Sequence, residues 1–192
     1  MPSRSAATGL HSPDGVARPW FLPAYYAMFE LASGLRAVAF ERRPLASMLG
    51  LRHLGTIVER QVYRASEPRS ERQWAQVERL AIRTLLCVKR TPMRAETRAQ
   101  ARARGLVVLR VDLGADAAID PRAVEAAALL ALDPSNGPVL VHCDGGRHRA
   151  GIVGACIRRL QGWTLAEALA EYERLARPTP RVHDRAAIVA LW

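Results

Sequence analysis

Short β-rich runs alternate with helical patterns from about Gly55 onward, and this alternation most restricts the possible fold. The runs are residues 83–88 (RTLLCV), 106–111 (LVVLRV) and 139–142 (VLVH), while residues 56–63 predict a further strand or hairpin. This order is typical of an α/β fold with a largely parallel sheet. We therefore predict an α/β fold with one central, mostly parallel sheet of about four to five strands flanked by helices.

Helical patterns fill the intervals, at residues 70–81, 94–104, 121–132, 149–160 and 165–176, and a last amphipathic helix ends near Leu191. Asp120 precedes Pro121 and is of a residue type favoured as an N-cap. Proline suits a first helical turn, so a helix is predicted to start at Pro121. Thr164 and Glu167 have the spacing of a capping box. These local signals predict where two of the helices begin.

The chain has 192 residues, 49% of them hydrophobic, which is enough for one sizeable core and too little for two ordinary domains. Residues 1–19 combine Ser, Gly, Pro and charge and predict a disordered lead. Residues 20–50 predict an N-terminal helical extension. Its apolar part, residues 20–40, is long enough to span a bilayer, but Glu30 and Arg36 lie inside it. Each charge costs roughly 2.5 to 3.5 kcal/mol at the bilayer centre, so a helix on the domain or on a membrane surface is favoured.

The formal net charge of +10 favours anionic partners such as nucleic acid, acidic membrane or phosphorylated substrates. Nucleic acid is disfavoured because the chain has no aromatic-rich basic strand on which bases stack. Three cysteines, an odd number without paired spacing, predict neither a disulfide framework nor a zinc ribbon. We expect a reducing compartment, the cytoplasm, and no metal or other cofactor.

One segment carries the chemistry: Cys143 follows the run at 139–142 directly and precedes a glycine-rich turn and a helix. Backbone N–H groups at a helix start bind anions. Gly145 and Gly146 tolerate the dihedral angles that turn the loop amides inward, and Arg149 adds a bidentate grip on two phosphate oxygens. The predicted phosphate-binding residues are Asp144, Gly145, Gly146, Arg147, His148 and Arg149.

The same positive field favours a thiolate at Cys143, which we predict to be the nucleophile. A thiolate needs no base, so His142 is interpreted as a structural hydrogen-bonding partner that fixes the loop. Cys87 lies within an apolar run and Cys156 lies two helical turns past Arg149, so both are predicted to be core residues.

The segment VLVHCDGGRHRAG resembles the HC-x5-R signature of protein tyrosine and dual-specificity phosphatases. Residues 62–68 (VYRASEP) look like the family's YRSxxP segment and residues 132–138 (LDPSNGP) like its LxPxNxP approach. Residues 171–172 (EY) and 181–184 (RVHD) are similar to the tail of the plant and fungal atypical dual-specificity phosphatases. The resemblance implies a tyrosine/dual-specificity phosphatase-like domain over residues 53–192.

The resemblance also implies a two-step reaction through a cysteinyl-phosphate, with an aspartic acid protonating the leaving oxygen. Asp112 and Asp116 both follow the run at residues 106–111. Asp112 fits the family's usual spacing better, whereas Asp116 lies where a mobile loop would hang, and we favour Asp116 narrowly. A solvated turn carboxylate is the alternative reading of either residue. Ala150 replaces the family's Ser or Thr, whose hydroxyl eases departure of the thiolate, which predicts slow breakdown of the phosphoenzyme.

Arg147 and His148 replace the Lys-His pair typical of the atypical subgroup and keep the rim basic. The implied substrate is a phosphotyrosine protein or a polyphosphorylated small molecule such as an inositol phosphate. The main alternative is a catalytically weak pseudophosphatase that binds phosphorylated partners, suggested by Ala150 and the open choice of acid. A cysteine-based arsenate reductase or rhodanese is disfavoured, since the phosphatase resemblance runs along most of the domain.

Overall fold

We describe residues 50–114, 119–178 and 180–192 of the protein in a computed structural model. The chain divides into two units, and all of these residues belong to the second, Arg42–Trp192. The predicted lead at residues 1–19 and nearly all of the predicted extension lie outside the described residues. No helix in the described ranges is both long and apolar enough to cross a membrane.

Five strands form one sheet in the order β1-β2-β5-β3-β4, with β1 antiparallel to β2 and the other pairs parallel. The mostly parallel sheet predicted from the sequence is therefore confirmed. Residues 56–63 belong to a hairpin whose second strand continues to Ser66. The strands are β1 (Gly55–Val58), β2 (Val62–Ser66), β3 (Thr84–Cys87), β4 (Val107–Arg110) and β5 (Val139–Cys143).

Six helices of the described residues flank the sheet, and three of them have the predicted bounds. Ser70 is the N-cap of α1, where its side chain accepts a hydrogen bond from the Gln73 amide, so this helix starts one residue later than predicted. The Asp120 cap and the capping box of Thr164 and Glu167 are both present. The helices are α1 (Glu71–Arg79), α2 (Ala95–Ala103), α3 (Pro121–Leu132), α4 (Arg149–Leu160), α5 (Leu165–Ala176) and α6 (Val182–Val189).

Central strand β5 lies between β2 and β3 and is buried along its whole length, as expected for a parallel strand covered by helices on both faces. The register pairs Ser66 with Cys143 and Cys87 with His142. The carboxyl ends of three strands therefore meet at one edge of the sheet, which is where open α/β sheets bind ligands. Glu67, Lys89 and Asp144 follow these three strand ends.

The other two cysteines are core residues, as predicted. Cys87 and Cys156 are both buried. Burial raises the pKa of the Cys87 thiol to about 11 and that of the Cys156 thiol to about 12. Neither side chain is therefore a reactive thiolate near neutral pH.

Candidate active site

The predicted loop connects the end of β5 to the start of α4. Cys143 is the last residue of β5, Arg149 is the first residue of α4, and His148 is the N-cap of that helix. The 12-residue helix directs its N-terminal amides and the positive end of its dipole toward the loop. The structure thus brings Cys143, the loop residues and Arg149 together, as the sequence predicts.

Side chains from distant segments hold the loop carbonyls. Arg64 Nη2 donates to the Gly146 carbonyl at 3.0 Å and to the Arg147 carbonyl at 3.4 Å. His53 Nδ1 donates to the Gly145 carbonyl at 2.8 Å. Because a peptide amide points opposite to the neighbouring carbonyl, fixing these oxygens on one side of the loop turns amides toward the other side.

Backbone groups hold the carbonyls at the two ends of the loop. The Cys143 carbonyl accepts from the Glu67 amide at 2.9 Å, and the His148 carbonyl accepts from the Gly151 amide at 2.7 Å. The amides of Asp144, Gly145 and Gly146 take no part in the backbone–backbone hydrogen bonds of the described ranges. This arrangement is that of an anion-binding nest, in which consecutive amides face a common ligand.

Arg64 is a buried cation beneath the loop. It belongs to β2, inside the VYRASEP segment, and only 2% of it is exposed. Burial lowers the pKa of its guanidinium to about 10, and the nearby Cys143, Glu171 and Tyr172 oppose this shift. Arg64 therefore stays charged at neutral pH and adds positive potential where Cys143 ends its strand.

Gly146 is the position where the loop packs most closely on β2. Its φ is +74°, in the left-handed region. A Cβ atom built there would lie 2.3 Å from the Ala65 carbonyl carbon and 2.3 Å from the Ser66 nitrogen. Only glycine fits both the dihedral angle and the close approach of two backbones.

Lys89 joins the loop to two neighbouring strand ends. Its ammonium lies 2.6 Å from Glu67 Oε2 and 2.7 Å from Asp144 Oδ1. Burial alone would lower the pKa of Lys89, but the bonds to Asp144 and Glu67 outweigh burial and raise it. Burial likewise opposes ionisation of the two carboxyl groups, yet the Lys89 hydrogen bond lowers both of their pKa values. All three groups are therefore charged at neutral pH.

The other end of the loop is tied to the C-terminal helix. His148 Nδ1 lies 2.7 Å from Asp184 Oδ2, and the Tyr172 hydroxyl donates to the same oxygen. Burial lowers the pKa of His148, although the bond to Asp184 opposes that shift. The EY and RVHD segments of the sequence thus support the N-cap residue of α4. The His148 side chain is mostly covered, with 15% of it exposed.

His142 and Ala150 are both fully buried beside the loop. Burial lowers the pKa of His142 to about 4, so its imidazole is neutral near pH 7. Neither ring nitrogen makes a hydrogen bond of good geometry with the described residues. The Cys143 backbone opposes the shift of the His142 pKa, and the role of His142 in fixing the loop stays a prediction.

The two candidate acids have different outcomes. Asp112 follows β4, and its carboxylate accepts from the Gly114 amide at 2.8 Å and lies 3.2 Å from Arg110 Nη2. It therefore holds a turn, as in the alternative reading of this residue. Asp116 lies outside the described residues, so its role stays a prediction.

Comparison with known proteins defines the class. Residues 55–191 match the family model described as the tyrosine phosphatase family, and the chain belongs to that family. It is 35% identical over 114 residues to inositol diphosphatase DSP1 of Oryza sativa subsp. japonica, a match covering 56% of this chain and 50% of that protein. It is 31% identical over 129 residues to inositol diphosphatase SIW14 of Saccharomyces cerevisiae, covering 65% of this chain and 46% of that protein.

A solved structure is similar over most of the domain. The core catalytic domain of the PP-IP phosphatase SIW14 from S. cerevisiae, in complex with citrate, has a TM-score of 0.68 and 30% identity, covering 73% of this chain and 85% of that one. The chain spans about half the length of the two curated relatives. These proteins confirm the resemblance drawn from the loop and give no support to the pseudophosphatase alternative.

Several supporting residues were not assigned a role from the sequence. Arg64 carries a usable signal, since a charged residue inside an apolar strand needs a buried partner. Lys89 carries another, because it is the only lysine in the chain and follows a strand end. His53 has no signal of this kind. Its contact with the loop spans 92 positions of sequence.

Proposed function

We propose that this protein is a cysteine-dependent phosphatase in which Cys143 attacks the phosphorus of a phosphate ester or anhydride. The S–P bond forms as the bond from phosphorus to the leaving oxygen breaks. The loop amides and Arg149 bind the equatorial oxygens, whose negative charge they stabilise. The observation that carries this proposal is the loop itself, with Cys143 at its start and its carbonyls held by Arg64 and His53.

The second step transfers the phosphoryl group to water. A water molecule attacks the cysteinyl-phosphate, the S–P bond breaks, and inorganic phosphate leaves as the thiolate re-forms. An aspartic acid protonates the leaving oxygen in the first step. We assign this role to Asp116, because Asp112 is engaged with Gly114 and Arg110.

The assignment of the acid is tested by comparing Asp116→Asn with Asp112→Asn. Loss of the acid should lower kcat most for substrates with poor leaving groups and should remove one limb of the pH–rate profile. We expect both effects in Asp116→Asn only. Equal effects in the two variants, or an effect confined to Asp112→Asn, would reassign the acid.

For the substrate, we propose a polyphosphorylated small molecule of the inositol phosphate class, with phosphotyrosine protein as the second choice. Support comes from the names of the curated relatives, which are inositol diphosphatases. Arginine side chains in and beside the loop agree with a highly charged substrate. Arg69 Nη2 lies 3.5 Å from Asp144, and Arg147 belongs to the loop itself.

A substrate panel tests the proposal. It compares inositol diphosphates, inositol polyphosphates, phosphoinositides and phosphotyrosine, phosphoserine and phosphothreonine peptides, with the Cys143→Ser protein as control. We expect the highest kcat/KM for an inositol diphosphate and none above background for Cys143→Ser. Turnover that persists without Cys143 would refute the mechanism. A preference for phosphotyrosine peptides would refute the substrate class alone.

Two further proposals concern the environment of the protein. We propose that it acts in the cytoplasm, in agreement with three free cysteines. We also propose peripheral membrane contact through residues 20–40, because their sequence is apolar with a few charges. Sedimentation of the full chain with anionic vesicles tests this contact, and a variant lacking residues 1–49 should remain in the supernatant.

A further inference from the structure

Lys89 is the only lysine among the 28 basic residues of the chain, and it is buried beside the phosphate loop. Its ammonium contacts Glu67 on one side and Asp144 on the other, and 3% of its side chain is exposed. A lysine ammonium is compact and has three donors, so it fits between two converging carboxylates where a planar guanidinium fits poorly. This position therefore requires a compact ammonium group, which an arginine side chain does not provide.

Asp144 poses an electrostatic problem for an anion-binding loop. It directly follows Cys143, and a carboxylate there repels a bound phosphate. It also lies within electrostatic range of Arg149, which follows it by five residues and begins α4. An unrestrained Asp144 would therefore compete with the substrate for the same guanidinium.

The surrounding contacts show how Asp144 is restrained. Glu67 is the fixed member of the cluster, because its side chain is fully buried and its Oε1 accepts from the Arg94 amide at 3.0 Å. Asp144 is the exposed member, with 57% of its side chain accessible. Lys89 connects the two, so the rigid side of the cluster holds the carboxylate that borders the phosphate site.

We propose that Lys89 is a positioning residue for catalysis, which binds Asp144 so that this carboxylate neither repels the substrate phosphate nor pairs with Arg149. The inference rests on the proposed function, since it takes the loop as the site of the substrate phosphate. It adds a role for Lys89 that the chemistry of Cys143 and Arg149 does not itself require.

The test is a double-mutant cycle in the full chain with Lys89→Met, Asp144→Asn and the double variant. The readouts are kcat/KM on a chromogenic aryl phosphate and the inhibition constant of inorganic phosphate. We expect Lys89→Met to lower kcat/KM and weaken phosphate binding, each by about 10- to 100-fold. Adding Asp144→Asn should recover about tenfold of both, because it removes the competing charge. A double variant no better than Lys89→Met would overturn the proposal.

Asp144→Asn alone keeps the test decisive if Lys89→Met fails to fold. This exposed position should tolerate the change, and circular dichroism checks the fold. We expect inorganic phosphate to bind this variant at least as tightly as it binds wild type. Binding weakened tenfold would mean that the Asp144 carboxylate assists the site, contrary to the proposal.

Failure of the phosphatase assignment can be distinguished from failure of the role proposed for Lys89. If the wild-type chain hydrolyses no phosphate ester, the phosphatase assignment fails whatever Lys89 does. Calorimetric titration of inorganic phosphate into Cys143→Ser, with and without Lys89→Met, then still measures whether Lys89 controls anion binding. Equal affinities in that pair would refute the role of Lys89.

Discussion

Replacing Gly146 by alanine gives the sharpest test of how the loop is built. The new Cβ would lie 2.3 Å from two backbone atoms of β2, and neither can move without shifting a central strand. Overpacking of this kind costs about 1–3 kcal/mol. The φ of +74° adds about 1–2 kcal/mol for a residue with a side chain. We therefore expect Gly146→Ala to lose about 2–5 kcal/mol, a large part of the about 5–15 kcal/mol typical of a domain.

Two other glycines separate the contributions. Gly105 has a φ of +68° with nothing within 4 Å of a built Cβ, so Gly105→Ala should lose only the dihedral part, about 1–2 kcal/mol. Gly145 lies outside the positive-φ group, and the nearest atom to its Cβ is Arg147 Nε at 4.0 Å. Gly145→Ala should stay within about 0.5 kcal/mol of wild type in stability.

Urea unfolding of the three variants measures these values, and kcat/KM on an aryl phosphate measures the effect on the site. A loop displaced by about 1 Å should cost Gly146→Ala about 100-fold in kcat/KM. The order of stability should be Gly145→Ala, then Gly105→Ala, then Gly146→Ala. A Gly146→Ala protein as stable and active as wild type would refute the close packing of the loop on β2.

Three further outcomes are expected. Wild type should show a burst on a chromogenic aryl phosphate, and Ala150→Ser should raise steady-state turnover severalfold; linear kinetics would count against slow phosphoenzyme breakdown. Arg158 donates to Glu171 through Nε and Nη2. Arg158→Met should therefore lower the free energy of unfolding, measured in urea, by about 3–5 kcal/mol. The neighbouring control Arg159→Met should stay within about 0.5 kcal/mol of wild type. Burial lowers the pKa of His142 from 6.5 to about 4, so the unfolded chain binds more protons in this interval and stability should fall by about 3 kcal/mol from pH 7 to pH 4. The stability of His142→Leu should depend less steeply on pH. A slope equal to that of wild type would mean that His142 is not the cause of the pH dependence.

The sequence predicted the elements of the fold closely where the signals are local. The bounds of Pro121–Leu132 and Leu165–Ala176 match because Asp120 and the capping box of Thr164 and Glu167 act within one helical turn. The catalytic loop was predictable for the same reason, since Cys143, the glycines and Arg149 are contiguous. The helix Ala95–Ala103, which has no capping side chain, was placed one residue too wide at each end.

The chain's sequence by itself determined a thiol and a guanidinium at the two ends of one anion-binding turn. Only the tertiary structure decided what supports that turn. Arg64 meets Gly146 across 82 positions and Lys89 meets Asp144 across 55. Such contacts depend on strand order and register, which pair β5 with β2 and β3. A periodicity or a cap reports only on residues within a turn or two, whereas a buried charge is assigned to its partner by the packing of the whole sheet.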